Sequence, residues 1–127
     1  MSTMTLEQQR SQTAWDMAQE GIDTSGKEYC NLAKAAPALI MNNGLMQTLA
    51  FFNEKGGKEP RSRYHILAGH LRRWIVRRDG GPDQDPGFQA LMGALLKADS
   101  ARYRQATEEA LLLLRWIRQF AAALGGQ

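Results

Sequence analysis

The sequence predicts an all-α protein, a compact single-domain bundle of about five to six helices that takes in residues 1–127. Three observations support this. Apolar residues recur every three or four positions through most of the chain, which is the spacing of one helical face. β-branched residues are scarce, with Val76 the only valine, and this disfavours a sheet. Glycine-marked breaks separate the periodic stretches, and no apolar run approaches the roughly 20 residues of a membrane-spanning helix.

Capping signals and helix breakers set the ends of the predicted helices. Thr5 and Gln8 have the spacing of a capping box. Gly21 is expected to end the first helix and to open a loop that reaches Gly26. Pro37 lacks an amide donor and should kink the second helix or divide it into two shorter ones. The expected helices are residues 5–21, 27–42, 45–54, 61–78 and 88–97, with a last helix from a cap at Asp99 or Ser100 to about Leu124.

The segment between the fourth and fifth helices is the strongest predicted loop. Asp79 to Gly87 contains two prolines and three glycines in nine residues. The helix before this loop has a stripe of core-facing residues at helical spacing. That stripe consists of Tyr64, Leu67, Leu71, Trp74 and Ile75.

The sequence offers little that catalysis or metal binding would need. His65 and His70 are five residues apart on one helix and point about 140° away from each other, so a shared metal or proton is not expected. The lone Cys30 cannot form an internal disulfide, which favours a buried thiol in a cytoplasmic protein. We expect no catalytic residue, no metal and no cofactor. The carboxylates are expected to be solvated, namely Glu108 and Glu109 on the last helix and Asp79, Asp83 and Asp85 in the loop.

Positive charge is concentrated in one segment. Residues 55–78 contain eight Lys and Arg with Glu59 as the only acid, a balance of +7, so the rest of the chain carries −4 of the net charge of +3. Several of these residues fall on one row of the fourth helix, beside its apolar stripe. A row without neutralising acids favours an anionic partner, and the rigid fork of arginine suits phosphate. The residues predicted to bind RNA are Lys55, Lys58, Arg61, Arg63, His70, Arg73 and Arg77.

Four stretches of the chain, taken in order, carry a family likeness. They are Leu6-Glu7-Gln8-Gln9-Arg10 with Ala14-Trp15; Asn43-Gly44-Leu45 with Thr48-Leu49-Ala50-Phe51; Tyr64, Leu67, His70-Leu71 and Trp74; and Tyr103, Thr107-Glu108-Glu109-Ala110-Leu111, Trp116-Ile117 and Phe120-Ala121. The ordered set resembles the small helical subunit of type III-B CRISPR RNA-targeting (Cmr) effector complexes. The loop of residues 79–87 departs from this family, because it looks longer and richer in proline.

The resemblance implies a non-catalytic structural subunit of a ribonucleoprotein complex that acts in antiviral defence. In such a complex the subunit would contact guide and target RNA, the Cmr backbone subunit and the Cas10-like large subunit. Further copies of the chain would stack beside it, and no membrane would be involved. The resemblance supports a role for the basic segment but assigns no individual side chain.

Three other functions remain open from the residues alone. The basic helix could meet the acidic surface of a protein partner, which would make the chain a protein–protein adaptor. Residues 61–78 could instead be a DNA recognition helix, although the helix has no Asn or Gln to read adenine. A metal-independent ribonuclease would use His70 with Lys58.

Overall fold

The computed structural model describes residues 3–125, and these residues form six α-helices and no strand. The predicted all-α class is therefore confirmed. None of the helices in this part of the chain is both long enough and apolar enough to cross a membrane. The helices are α1 (Leu6–Ser25), α2 (Lys27–Asn43), α3 (Leu45–Gly56), α4 (Arg63–Arg78), α5 (Phe88–Lys97) and α6 (Ser100–Ala123).

The first helix begins as predicted but ends later. The Thr5 hydroxyl accepts a hydrogen bond from the Gln8 amide at 3.1 Å, and the Thr5 amide donates to the Gln8 side chain at 2.8 Å, so the capping box is confirmed. The predicted loop from Gly21 to Gly26 is wrong, because α1 continues to Ser25. Gly21 lies against the ring of Tyr29, where an added Cβ would overlap the ring carbons. This glycine is required for close packing and does not end the helix.

The connection between α1 and α2 is a single residue. Gly26 lies between the two helices with φ of 56°, a backbone conformation that glycine adopts at little cost. Helix α2 then runs without a break through Pro37, so the predicted division into two helices is wrong. The first turn of α2 returns to the end of α1, where Tyr29 lies against Gly21.

The remaining helices lie close to their predicted positions. Helix α3 extends to Gly56, and α4 begins at Arg63 because Ser62 caps it by accepting a hydrogen bond from the Tyr64 amide at 3.1 Å. Helix α5 has the predicted bounds. Asp99 caps α6 by accepting a hydrogen bond from the Arg102 amide at 2.8 Å. The sequence signals at helix starts were thus more reliable than the glycine signals at helix ends.

Helix α4 is the central helix of the bundle. It packs against each of the other five helices. Four residues of its predicted stripe are buried, with Leu67, Leu71 and Trp74 fully enclosed, and Tyr64 is half-buried. Since so much of α4 faces other helices, only a narrow part of it reaches the surface.

Helices α1 and α6 run parallel, as two contacts show. Arg10 of α1 pairs with Glu109 of α6, and further along both helices Trp15 packs edge-on against Phe120 with ring centroids 5.1 Å apart. The end of α2 lies beside the start of α6, because Gly44 faces the Tyr103 hydroxyl. Since α2 also starts where α1 ends, it runs opposite to both α1 and α6. The Tyr103 hydroxyl accepts a hydrogen bond from the Met46 amide at 3.1 Å, which ties the start of α6 to the start of α3.

Candidate functional site

Glu109 lies at the centre of a buried polar cluster that joins α1, α4 and α6. Its carboxylate accepts hydrogen bonds from the Arg10 guanidinium at 3.0 and 3.1 Å and from the Trp74 indole at 3.0 Å. Arg78 Nε lies 3.3 Å from the same carboxylate. Burial raises the pKa of Glu109, but the hydrogen bonds from Arg10 and Trp74 and the Arg10 charge outweigh it, so the pKa lies below its usual value. The expectation that Glu109 is solvated is wrong.

His70, one of the predicted RNA-binding residues, is buried, with 5% of its surface exposed. Its Nδ1 lies 2.8 Å from the Tyr29 hydroxyl, and its Nε2 contacts the carboxylate of Glu20. A neutral ring protonated on Nε2 satisfies both contacts, since it accepts from Tyr29 and donates to Glu20. Burial lowers the pKa of His70, against the opposing effect of Glu20. His70 is therefore neither exposed nor charged as phosphate binding would require, and its inclusion was wrong.

The loop of residues 79–87 folds back onto α4 and brings two carboxylates to its arginines. Asp83 accepts hydrogen bonds from Arg73 at 2.7 and 3.2 Å, and Asp85 accepts from Arg72 at 2.8 and 2.9 Å. Both are two-point contacts, the geometry in which arginine binds carboxylates most strongly. The premise of a row without neutralising acids was therefore wrong, because Asp83 of the adjoining loop pairs with Arg73 and Asp85 pairs with Arg72 beside the row.

The pKa values of this loop reflect the ion pairs. The hydrogen bonds from Arg73 hold the pKa of Asp83 below its usual value. Burial raises the pKa of Asp85, but the hydrogen bonds from Arg72 and from the Gly87 amide outweigh burial and lower it overall. Both aspartates are therefore charged at neutral pH and hold the loop against the helix.

Two further arginines of the predicted site are partly engaged within the fold. Arg77 donates a hydrogen bond to the Thr13 hydroxyl at 3.0 Å and lies over the Trp74 ring, 5.3 Å from its centroid. Arg63 lies over the Tyr64 ring at 4.6 Å and is 3.5 Å from the Glu28 carboxylate. These arginines keep their positive charge, but contacts within the fold fix their positions.

The remaining predicted residues are free to meet a ligand. Lys55, Lys58 and Arg61 are exposed at the turn between α3 and α4. Within residues 3–125, none of the three forms an ion pair with a carboxylate. Together with the half-buried Arg63 they form what we call the turn patch. The arrangement can attract a phosphate backbone but has no group placed for chemistry, and His70, which the ribonuclease hypothesis requires, is enclosed.

The central position of α4 also bears on the DNA-binding hypothesis. A recognition helix contacts bases through a few side chains on its exposed side. Here α4 packs against all five other helices, and seven of its sixteen residues are buried. This packing does not favour the hypothesis that residues 61–78 form a DNA recognition helix.

Two features of the structure were missed from the sequence. A cavity of about 410 Å³ lies between the end of α4, α5 and the first half of α6, with Ile75, Leu91 and Leu95 among its apolar lining residues and Arg78 and Arg102 among its polar ones. A second group of exposed basic residues lies on α2 and α6.

The position of Glu109, four residues before the core residue Leu113, was a signal that this acid belongs to the buried face of α6 and not among its exposed residues.

Comparison with known proteins identifies the family. The family model Cas_Cmr5, described as a CRISPR-associated protein, matches residues 6–124. The chain belongs to this family. The CRISPR system Cmr subunit Cmr5 of Thermus thermophilus is 28% identical over 115 residues, which are 90% of this chain and 90% of that protein.

A solved structure supports the same assignment. The crystal structure of a CRISPR-associated Cmr5 family protein from Thermus thermophilus is similar to this Cas_Cmr5 chain with a TM-score of 0.72 and 28% sequence identity. The similarity covers 97% of this chain and 99% of that chain. The resemblance noted in the sequence is therefore confirmed for the family and for the all-α fold.

Proposed function

We propose that this chain is a non-catalytic structural subunit of a type III-B Cmr effector complex in antiviral defence, and that it binds the RNA backbone through basic surface residues. The observation that carries the proposal is the family match over residues 6–124, together with a Cmr subunit that is similar over 90% of both chains. Its partners would be guide and target RNA, the Cmr backbone subunit, the Cas10-like large subunit and further copies of itself.

The turn patch is the part of the predicted site that supports RNA contact. Lys55, Lys58 and Arg61 are exposed, and flexible cationic side chains of this kind contact phosphates without reading the bases. Arg63 lies beside them at the start of α4. Arg73 and Arg77 would contribute only after their contacts with Asp83 and Thr13 open.

The experiment compares matched charge reversals in a reconstituted Cmr complex. The double variant K55E/K58E changes the turn patch. The control K97E/R104E changes the net charge equally on exposed residues at the end of α5 and the start of α6. We expect K55E/K58E to weaken the binding of single-stranded target RNA and to reduce the slope of log affinity against log salt by about 1.4, or 0.7 for each phosphate that is no longer neutralised.

The outcomes separate the parts of the proposal. Unchanged RNA affinity and salt slope in K55E/K58E would contradict RNA contact through the turn patch. Copurification of the other Cmr subunits after nuclease treatment tests subunit packing by itself. Cleavage of labelled RNA by the purified chain, lost on His70→Ala, would contradict the non-catalytic role.

A further inference from the structure

A second basic surface lies on α2 and α6, outside α4 and the turn that precedes it. Its residues are Lys27 and Lys34 of α2 and Arg115 and Arg118 of α6, and all four are exposed. We call this surface the α2–α6 patch. In the sequence, Glu108 and Glu109 balance the arginines of the last helix. The structure alters this balance, because Glu109 turns into the core and pairs with Arg10.

The helix directions bring these residues to the same level of the bundle. Helices α2 and α6 pack together in opposite directions, and the Tyr103–Met46 hydrogen bond marks the end at which α2 finishes and α6 begins. Lys34 lies ten residues before Gly44, and Arg115 lies twelve residues after Tyr103. With a rise of 1.5 Å per residue, both are about 15–18 Å from that end.

The other two residues extend the patch toward the opposite end of the bundle. Arg118 is three residues beyond Arg115, so the two side chains are neighbours on one face with Cβ atoms about 5–6 Å apart. Lys27 is the first residue of α2, near the point where the Ser25 hydroxyl donates a hydrogen bond to the Arg61 carbonyl at 3.2 Å. The α2–α6 patch therefore reaches toward the turn patch at this end.

The charges of the α2–α6 patch are not neutralised by nearby acids. Among the residues that the structure describes, none of its four side chains has a carboxylate within 4.0 Å. The adjacent Glu28 is directed to Arg63 at 3.5 Å. Asp23 precedes Lys27 by four residues and Glu108 precedes Arg115 by seven, and neither forms an ion pair within that part of the chain. Four exposed cations without an ion-pair partner raise the local concentration of anions.

We propose that the α2–α6 patch is a second surface for the backbone of single-stranded RNA. The proposal rests on the proposed function and deepens it, because it adds an RNA contact outside α4 and its preceding turn. Protein interfaces are built around buried aromatic or aliphatic side chains and are depleted in lysine. The α2–α6 patch consists instead of two exposed lysines and two exposed arginines, the residues that most often position phosphates.

The test measures binding of fluorescein-labelled single-stranded poly-uridine RNA to the full chain by fluorescence anisotropy at several salt concentrations. The variant R115E/R118E changes this patch, K55E/K58E changes the turn patch, and K97E/R104E is the control for net charge. We expect R115E/R118E to weaken binding at low salt by at least about tenfold and to reduce the salt slope by about 1.4. The control should differ from the wild type by much less.

Each outcome bears on one proposal. Loss in R115E/R118E with binding kept in the control supports the α2–α6 patch, whatever the result for K55E/K58E. Loss confined to K55E/K58E overturns this inference and leaves the proposed function standing. RNA binding that is unchanged in both R115E/R118E and K55E/K58E also overturns this inference. If R115E/R118E then fails to copurify a Cmr subunit after nuclease treatment, the α2–α6 patch binds an acidic protein partner instead. If circular dichroism shows that R115E/R118E is not folded, the milder variant R115Q/R118Q replaces it. We expect R115Q/R118Q to lose an intermediate part of the RNA affinity.

Discussion

Replacing Glu109 by glutamine should destabilise the protein strongly. The substitution keeps the shape of the side chain, so the measured loss reports the removal of its charge. Glu109 holds the Arg10 guanidinium, whose side chain is 10% exposed, and accepts from the Trp74 indole. Glutamine leaves Arg10 as a buried charge without an ionic partner. Breaking a buried ion pair from one side costs about 3–5 kcal/mol, a large share of the roughly 5–15 kcal/mol by which domains are stable.

Thermal and urea unfolding followed by circular dichroism measure this effect. For a chain of 127 residues, a loss of about 3–5 kcal/mol corresponds to a fall in Tm of roughly 10–20 °C. The matched control is Glu108→Gln, since Glu108 is the exposed neighbour on the same helix. That variant should stay within about 0.5 kcal/mol of the wild type. A double-mutant cycle with Arg10→Met should give a coupling energy of about 2–3 kcal/mol.

The pH dependence gives a second test of the same cluster. The pKa of Glu109 in the folded protein lies below the ordinary value of 4.5. The stability from this carboxylate is therefore complete above about pH 5 and is lost as the pH falls through the lower, folded-state pKa. Glu109→Gln should flatten this part of the curve. A loss of less than about 1 kcal/mol in Glu109→Gln, or an unchanged acid transition, would refute the reasoning.

Three further predictions test other contacts. Gly21→Ala should destabilise the protein by about 1–3 kcal/mol, since the added Cβ would overlap the ring of Tyr29. Gly93→Ala, with nothing near its Cβ, should stabilise the protein by about 0.5–1 kcal/mol. Tm values of the two variants that move in the same direction would contradict this. Thr5→Ala should cost about 1 kcal/mol in urea unfolding by removing the cap of α1, and no change would argue against that cap. Asp83→Asn should release Arg73 and raise RNA affinity in the assembled complex about two- to fivefold, and a fall in affinity would show that α4 does not meet RNA.

The helices could be predicted from the sequence because their signals are local. Apolar spacing and side-chain caps act within one or two turns, so the starts of α1 and α6 were correct. Gly21 misled because its role depends on Tyr29, which lies eight residues away and contacts it only after α2 folds back. A glycine needed for packing and a glycine that ends a helix look the same in the sequence.

The candidate site was harder to predict, because charge balance depends on the tertiary structure. Asp83 and Asp85 were expected to be solvated acids of the loop, yet they return to neutralise Arg73 and Arg72. Glu109 was expected to lie among the arginines of the last helix and instead points inward. Counting charges along the chain therefore found the basic segment but not the carboxylates that pair with its arginines.

The parallel pairing of α1 with α6 has a consequence for synthesis on the ribosome. Helix α6 supplies packing surface to α1, α2 and α4, and it is the last of the six to be made. Until it emerges, Trp15 lacks its contact with Phe120 and Trp74 lacks its hydrogen bond to Glu109. Such a nascent chain has apolar surface available to chaperones or to aggregation. Closure of the bundle must therefore await the synthesis of α6, when the first and last of the six helices meet.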